Sequence, residues 1–168
     1  MLSIFAGMSL YTVASFFTGV FMDIFAKFAT DPNLELEGTW KAIGPATRTK
    51  DDGSPDPDSA PQILVARSGN KRHGRIISRL YKSNQTVLDG QDDMAEQKGE
   101  EITIDAMSQS ILLGWKNLSF KGEKLPDGYD RTTAKKLLAV KDFRALVTRH
   151  AEDFKNFSVT QEDADAKN

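Results

Sequence analysis

Apolar side chains in the second half of the chain recur at intervals of three and four. Ile104, Met107, Ile111, Leu112, Trp115 and Leu118 would line one face of a helix of about five turns within residues 100–126. Asp105 suits its positive end, Lys116 its negative end, and Gly122 with Pro126 stops it. Beyond the turn, Asp130 is a fitting N-cap for a short helix that points Ala134, Leu137 and Leu138 inward. A last helix presents Phe143, Leu146, Val147, His150, Phe154 and Phe157 at helical spacing. Earlier in the chain the period changes. Residues 34–43 alternate apolar and polar around Gly38, and residues 62–66 form a short apolar run, so the two read as strands pairing across a Pro- and Asp-rich loop. After the Ser68-Gly69-Asn70 turn, Ile76, Ile77, Leu80 and Tyr81 mark another helix, and residues 85–99 are polar enough to read as a linker. A two-stranded hairpin is marginal alone and needs helices to cover it. The predicted fold is therefore α+β and mainly helical: a small two-stranded hairpin packed with about four helices. A chain of 168 residues can bury one core without disulfides or metal. The domain is expected over residues 22–158, with an apolar extension or extra helix at 1–21 and a disordered acidic tail at 159–168.

Residues 1–22 carry no charged side chain. As a helix they would reach about 33 Å, close to a bilayer core. Seven of these positions are Ser, Thr or Gly, and no Lys or Arg precedes them to orient a span or to begin a signal peptide. Three readings follow: sequence upstream of a start at Met22, a core- or partner-facing helix, or a membrane anchor. The phrase from Met22, MDIFAKFATDPNLELEGTW, reads as an ordinary opening and favours the first.

The charge balance is near neutral, with a net charge of −2, so no global field draws the protein to nucleic acid or anionic lipid. The absence of cysteine removes disulfides, thiolate catalysis and Cys-based zinc sites. His73 and His150 fall in different helices without carboxylates at ligand spacing, and Gly69 and Gly74 match no phosphate-binding loop. No catalytic residue, metal or cofactor is expected. One local bias stands out. Arg67, Lys71, Arg72, Arg75, Arg79 and Lys82 follow one another with no acidic residue between them. This pattern suits a phosphate-binding face, although a solvated amphipathic helix paired with acidic loops elsewhere is the plainer reading.

The run AMSQSILLGWKNLSFKGEKLPDGYDRTTAKKLLAVKDFRALVTRHAEDFKNF resembles the tail assembly chaperone family of long-tailed bacteriophages. The resemblance is carried by the apolar-x-x-Trp phrase ending at Trp115, the turn from Gly122 to Pro126, the leucine pair Leu137 and Leu138, the Asp-Phe that opens the last helix, and Ala151, Phe154 and Phe157. Glu35, Gly38 and Trp40 and the stretch ARSGNKR, residues 66–72, extend it over residues 22–158. It implies a non-enzymatic protein of the host cytoplasm, absent from the mature virion. Such a protein binds the tape measure protein, keeps it soluble and helps recruit tail tube subunits. It implies no cofactor and no small-molecule substrate, and it leaves self-association open. An apolar groove for an amphipathic helix would draw on Leu112, Trp115, Leu118 and Phe120, with Phe143 and Leu146 opposite. The alternatives are a nucleic-acid-binding accessory protein acting through the basic helix, residues 67–82, and a phage protein anchored in a membrane by residues 1–21.

Overall fold

Where residues 34–43 were expected to form one strand, the backbone divides into a helix and a strand. The computed structural model describes residues 24–90 and 92–158; the expectations for residues 1–21 and 159–168 lie outside them. After a short helix α1 (Ile24–Phe28), α2 (Pro32–Glu37) contains Leu34 and Leu36. The Asp31 carboxylate accepts the Asn33 N–H at 2.7 Å, and Pro32 stands where a helix needs no N–H, so local capping outweighs a short alternating pattern. β1 (Thr39–Ala42) begins only after Gly38, whose φ is 82°. A Cβ at Gly38 would stand 2.9 Å from the carbonyl carbon and oxygen of Val65. The turn thus excludes any larger residue twice, by dihedral and by space.

β2 (Gln62–Val65) pairs antiparallel with β1 as expected, with Trp40 opposite Leu64 and Lys41 opposite Ile63. The loop between them is better anchored than its composition predicts. Buried Ser59 accepts the Thr47 and Arg48 N–H groups on its Oγ at 3.0 and 2.9 Å and donates to the Asp56 carbonyl.

Next come α3 (Lys71–Ser83), α4 (Gln85–Leu88) and α5 (Asp93–Ser110). The segment expected to be a linker is largely helical, because the Asp92 side chain accepts the Ala95 N–H at 2.9 Å and opens α5 early. The larger correction is at the other end. α5 stops at Ser110, and β3 (Leu112–Lys116) joins the sheet in the order β1-β2-β3, with Ile63 opposite Trp115 and Val65 opposite Leu112 across a bulge. A continuous apolar run fits a buried strand as well as a helix, and Gly114 costs a helix about 1 kcal/mol. Pairing with β2 decides the outcome.

A tight hairpin of β4 (Ser119–Phe120) and β5 (Glu123–Lys124) follows, turning through Lys121 and Gly122. α6 (Arg131–Leu138) is capped by Asp130, which accepts the Thr133 N–H at 2.7 Å, as the sequence predicts. α7 (Lys141–Glu152) and a 3-10 turn (Phe154–Phe157) complete the described chain. The core joins Ile63 and Val65 of the sheet to Ile111, Leu112, Trp115, Leu137, Leu138 and Val147. The protein is α+β and mainly helical, and the expected hairpin is two-thirds of a three-stranded sheet.

Candidate functional site

The residues expected to line a groove divide by burial. Leu112, Trp115 and Leu118 lie in the core at 0, 2 and 8% exposure, so they form no open surface. Trp115 is held on every side: its indole Nε1–H donates to the Pro126 carbonyl at 2.9 Å, its ring faces Tyr129 at 6.1 Å, and its backbone exchanges hydrogen bonds with Gly128. A buried tryptophan with a satisfied N–H is a core filler. Phe120 and Phe143 pack partly buried against the same core, and Leu146 is half-buried on α7. The helical reading of residues 111–118 had placed Leu112, Trp115 and Leu118 on one stripe; as part of a strand and its following turn they point into the domain.

An open cleft exists one layer away. It lies between α5 and α7, has a volume of about 830 Å³, and is lined by Thr103 and Met107 on one side and by Ala145, Thr148 and Arg149 on the other. Its rim carries charge of both signs, with Lys141 and Arg144 among the cations and Glu152 and Asp153 among the anions. Arg144 is held in place: its guanidinium donates to the Leu138 carbonyl at 2.9 Å and to Glu100. Sequence reasoning missed this cleft because its signal is an absence of bulk. Ala145 and Thr148 are small residues three apart on one helix face, and together they leave room that larger side chains would fill.

A cavity of about 150 Å³ shares Thr103, Met107 and Thr148 with the cleft and reaches His73. His73 Nδ1 lies 2.9 Å from Ser110 Oγ, and the Ser110 hydroxyl itself donates to the Ala106 carbonyl at 2.7 Å. The hydroxyl has one proton and it is committed, so the imidazole serves as donor through Nδ1–H. Burial holds the His73 pKa below its ordinary value and keeps the ring neutral. The pair ties α3 to α5 and is not arranged to activate a nucleophile. His150, on α7, is likewise pushed down by burial, with nearby Lys41 and Arg149 adding to the effect. Among the described residues no group of three or more His, Asp or Glu side chains is placed to hold a metal ion.

The basic residues also separate. Arg67 precedes α3 and points away from its stripe, donating to Thr30 Oγ1 at 2.6 Å and pairing with Glu35. Hydrogen bonding from Thr30, and then the Arg67 guanidinium, outweighs burial and holds the Glu35 carboxyl below its ordinary value. The remaining five, Lys71, Arg72, Arg75, Arg79 and Lys82, are exposed on α3. At about 100° per residue they fall within one arc of about 100°, while Ile76, Ile77, Leu80 and His73 occupy a second arc on the far side. α3 packs on α5 through that second arc, yet contains no fully buried residue. The expected pairing of the basic stripe with acidic loops is not made: among the described residues none of the five has a carboxylate within ion-pair distance.

Compared with known proteins, residues 68–168 match a family model described as YdaY prophage protein. The match begins in the loop before α3 and takes in α3 to α7 and β3, thus both the basic stripe and the cleft. No curated protein and no solved structure matches the chain.

Proposed function

The chain belongs to the YdaY prophage protein family and is phage-derived, and on that premise we propose that it is a phage tail assembly chaperone, a non-enzymatic protein of the host cytoplasm. It binds an amphipathic helix of the tape measure protein, keeps that long ruler soluble, and hands it to tail tube subunits without entering the mature virion. The observation that carries this reading is the open α5–α7 cleft. A shallow trough of small and apolar side chains with charges of both signs along its rim suits the helix-in-groove mode of recognition, in which apolar anchors set affinity and rim charges set register. Because Leu112, Trp115 and Leu118 are committed to the core, the docking surface is the cleft rather than those residues. An open trough also favours exchange, since tube protein must displace the chaperone as the tube grows.

Co-expression of the full chain with the tape measure protein encoded in the same genome, followed by pull-down at low and high salt, tests the proposal. A soluble complex that survives high salt is expected. Ala145→Trp, which fills the cleft from an exposed helix position, should weaken it by about tenfold or more, equivalent to about 1.4 kcal/mol, without lowering the melting temperature. A folded, monodisperse chain that captures no tape measure protein overturns the reading.

A further inference from the structure

We propose that the outer arc of α3 is a nucleic-acid-binding surface that grips the phosphate backbone without reading base sequence. Outside α3, Arg131 and Lys135 meet at Asp105, Arg144 pairs with Glu100, Arg48 with Asp56, Arg67 with Glu35 and Lys98 with Glu101. Exposed cations without a carboxylate partner among the described residues, such as Lys50, Lys124 and Lys155, are scattered rather than gathered on one arc. The five cations of α3 share one arc and have no such partner there either, although the chain as a whole carries more acidic than basic residues. Like charges three and four apart on a helix repel one another, so this stripe is an uncompensated positive field in the free protein.

Its geometry suits a regular polyanion. From Lys71 to Lys82 the stripe runs about 16 Å along the helix axis. A duplex carries a phosphate of each strand about every 3.4 Å of its axis, so a stripe of this length spans enough duplex to meet several phosphates drawn from its strands. A membrane surface is a poorer fit, because an interfacial helix buries its apolar face in lipid, and here that face is turned onto α5. A folded protein partner is also a poorer fit, because protein interfaces centre on buried aromatic or aliphatic anchors, and the arc contains none. Tyr81, the exposed aromatic on α3, lies about 80° beyond the arc's edge. The surface shares no residue with the α5–α7 cleft, so either site can fail without the other.

Fluorescence anisotropy of the full chain with labelled duplex DNA and with labelled single-stranded RNA, each about 20 nucleotides long and titrated across salt, tests the assignment. Binding to either polymer, similar for unrelated sequences, is expected. On the duplex the log–log salt slope should be about −4 to −5, from about 0.9 per neutralised phosphate. Arg75→Ala with Arg79→Ala should reduce the size of that slope by about two and weaken binding at low salt at least tenfold; Arg75→Lys with Arg79→Lys should stay within about threefold of the original. Lys71→Ala with Lys82→Ala carries the same expectation as the alanine pair, should that pair fail to fold by circular dichroism. The assignment is overturned by absence of binding at about 50 mM salt, by binding that both alanine pairs leave unchanged, or by equally tight binding to polyglutamate or to phosphatidylserine vesicles.

Discussion

Helix α5 has two neighbours with opposite habits. On one side β3 commits Leu112, Gly114 and Trp115 to the interior, and its pairing with β2 closes the sheet beneath them. On the other side α3 lies against the same helix without fully burying a single residue, and turns five cations to solvent. Both segments are amphipathic or apolar enough to read as core-forming in sequence. The difference lies in what each offers the rest of the chain. β3 gives one backbone edge to β2 and its buried side chains to the core, so those side chains have nothing left for a partner. α3 packs on α5 along one arc only and leaves the opposite arc outside the core, so its outer face is shaped by charge rather than by packing.

The comparison can be broken most readily at Trp115. Trp115→Ala should destabilise the protein by about 3–5 kcal/mol in urea unfolding, because it removes a buried aromatic and leaves the Pro126 carbonyl unpaired. A variant of unchanged stability that loses a partner would instead return Trp115 to an interface. The seam between α3 and α5 gives a subtler test through pH. The His73 pKa is depressed in the fold, so the unfolded chain binds the extra proton first, and the stability present above the unfolded histidine value is lost as the pH falls through the folded value. Thermal melts from about pH 7.5 to about pH 5 should show a falling melting temperature, and His73→Asn, which keeps a donor near Nδ1 but does not titrate, should lessen that fall and leave the share that belongs to His150, whose pKa burial also depresses. The smallest effect is expected on the outer arc. Arg79→Ala should change stability by no more than about 0.5 kcal/mol, and a larger loss would mean that the basic face is structural after all.

Much of the fold is legible in the sequence where a local signal and a tertiary demand agree. Asp130 caps α6 as read, the two strands of the expected hairpin pair in register, and the leucine pair Leu137 and Leu138 is buried. Legibility fails where the deciding partner is distant in sequence. Residues 112–116 become a strand because residues 62–65 lie alongside them, and nothing within the run itself announces that. Residues 93–99 are helical because Asp92 caps them and α4 packs alongside, not because they are apolar. The cleft was hidden for another reason: Ala145 and Thr148 mark it by what they lack. The basic stripe was fully visible, but only the arrangement of carboxylates in space shows that its charges are left uncompensated.

The family match begins at Ser68 and so separates strands that the sheet joins. A fragment starting there would keep every helix from α3 onward, yet expose a row of unsatisfied backbone groups along Leu112–Lys116 and the apolar surface that Ile63 and Val65 had covered. Such an edge invites pairing between molecules. A chain cut at Ser68 is therefore smaller than the unit whose sheet is complete, and it would need another strand in place of β2 to keep it from self-assembling.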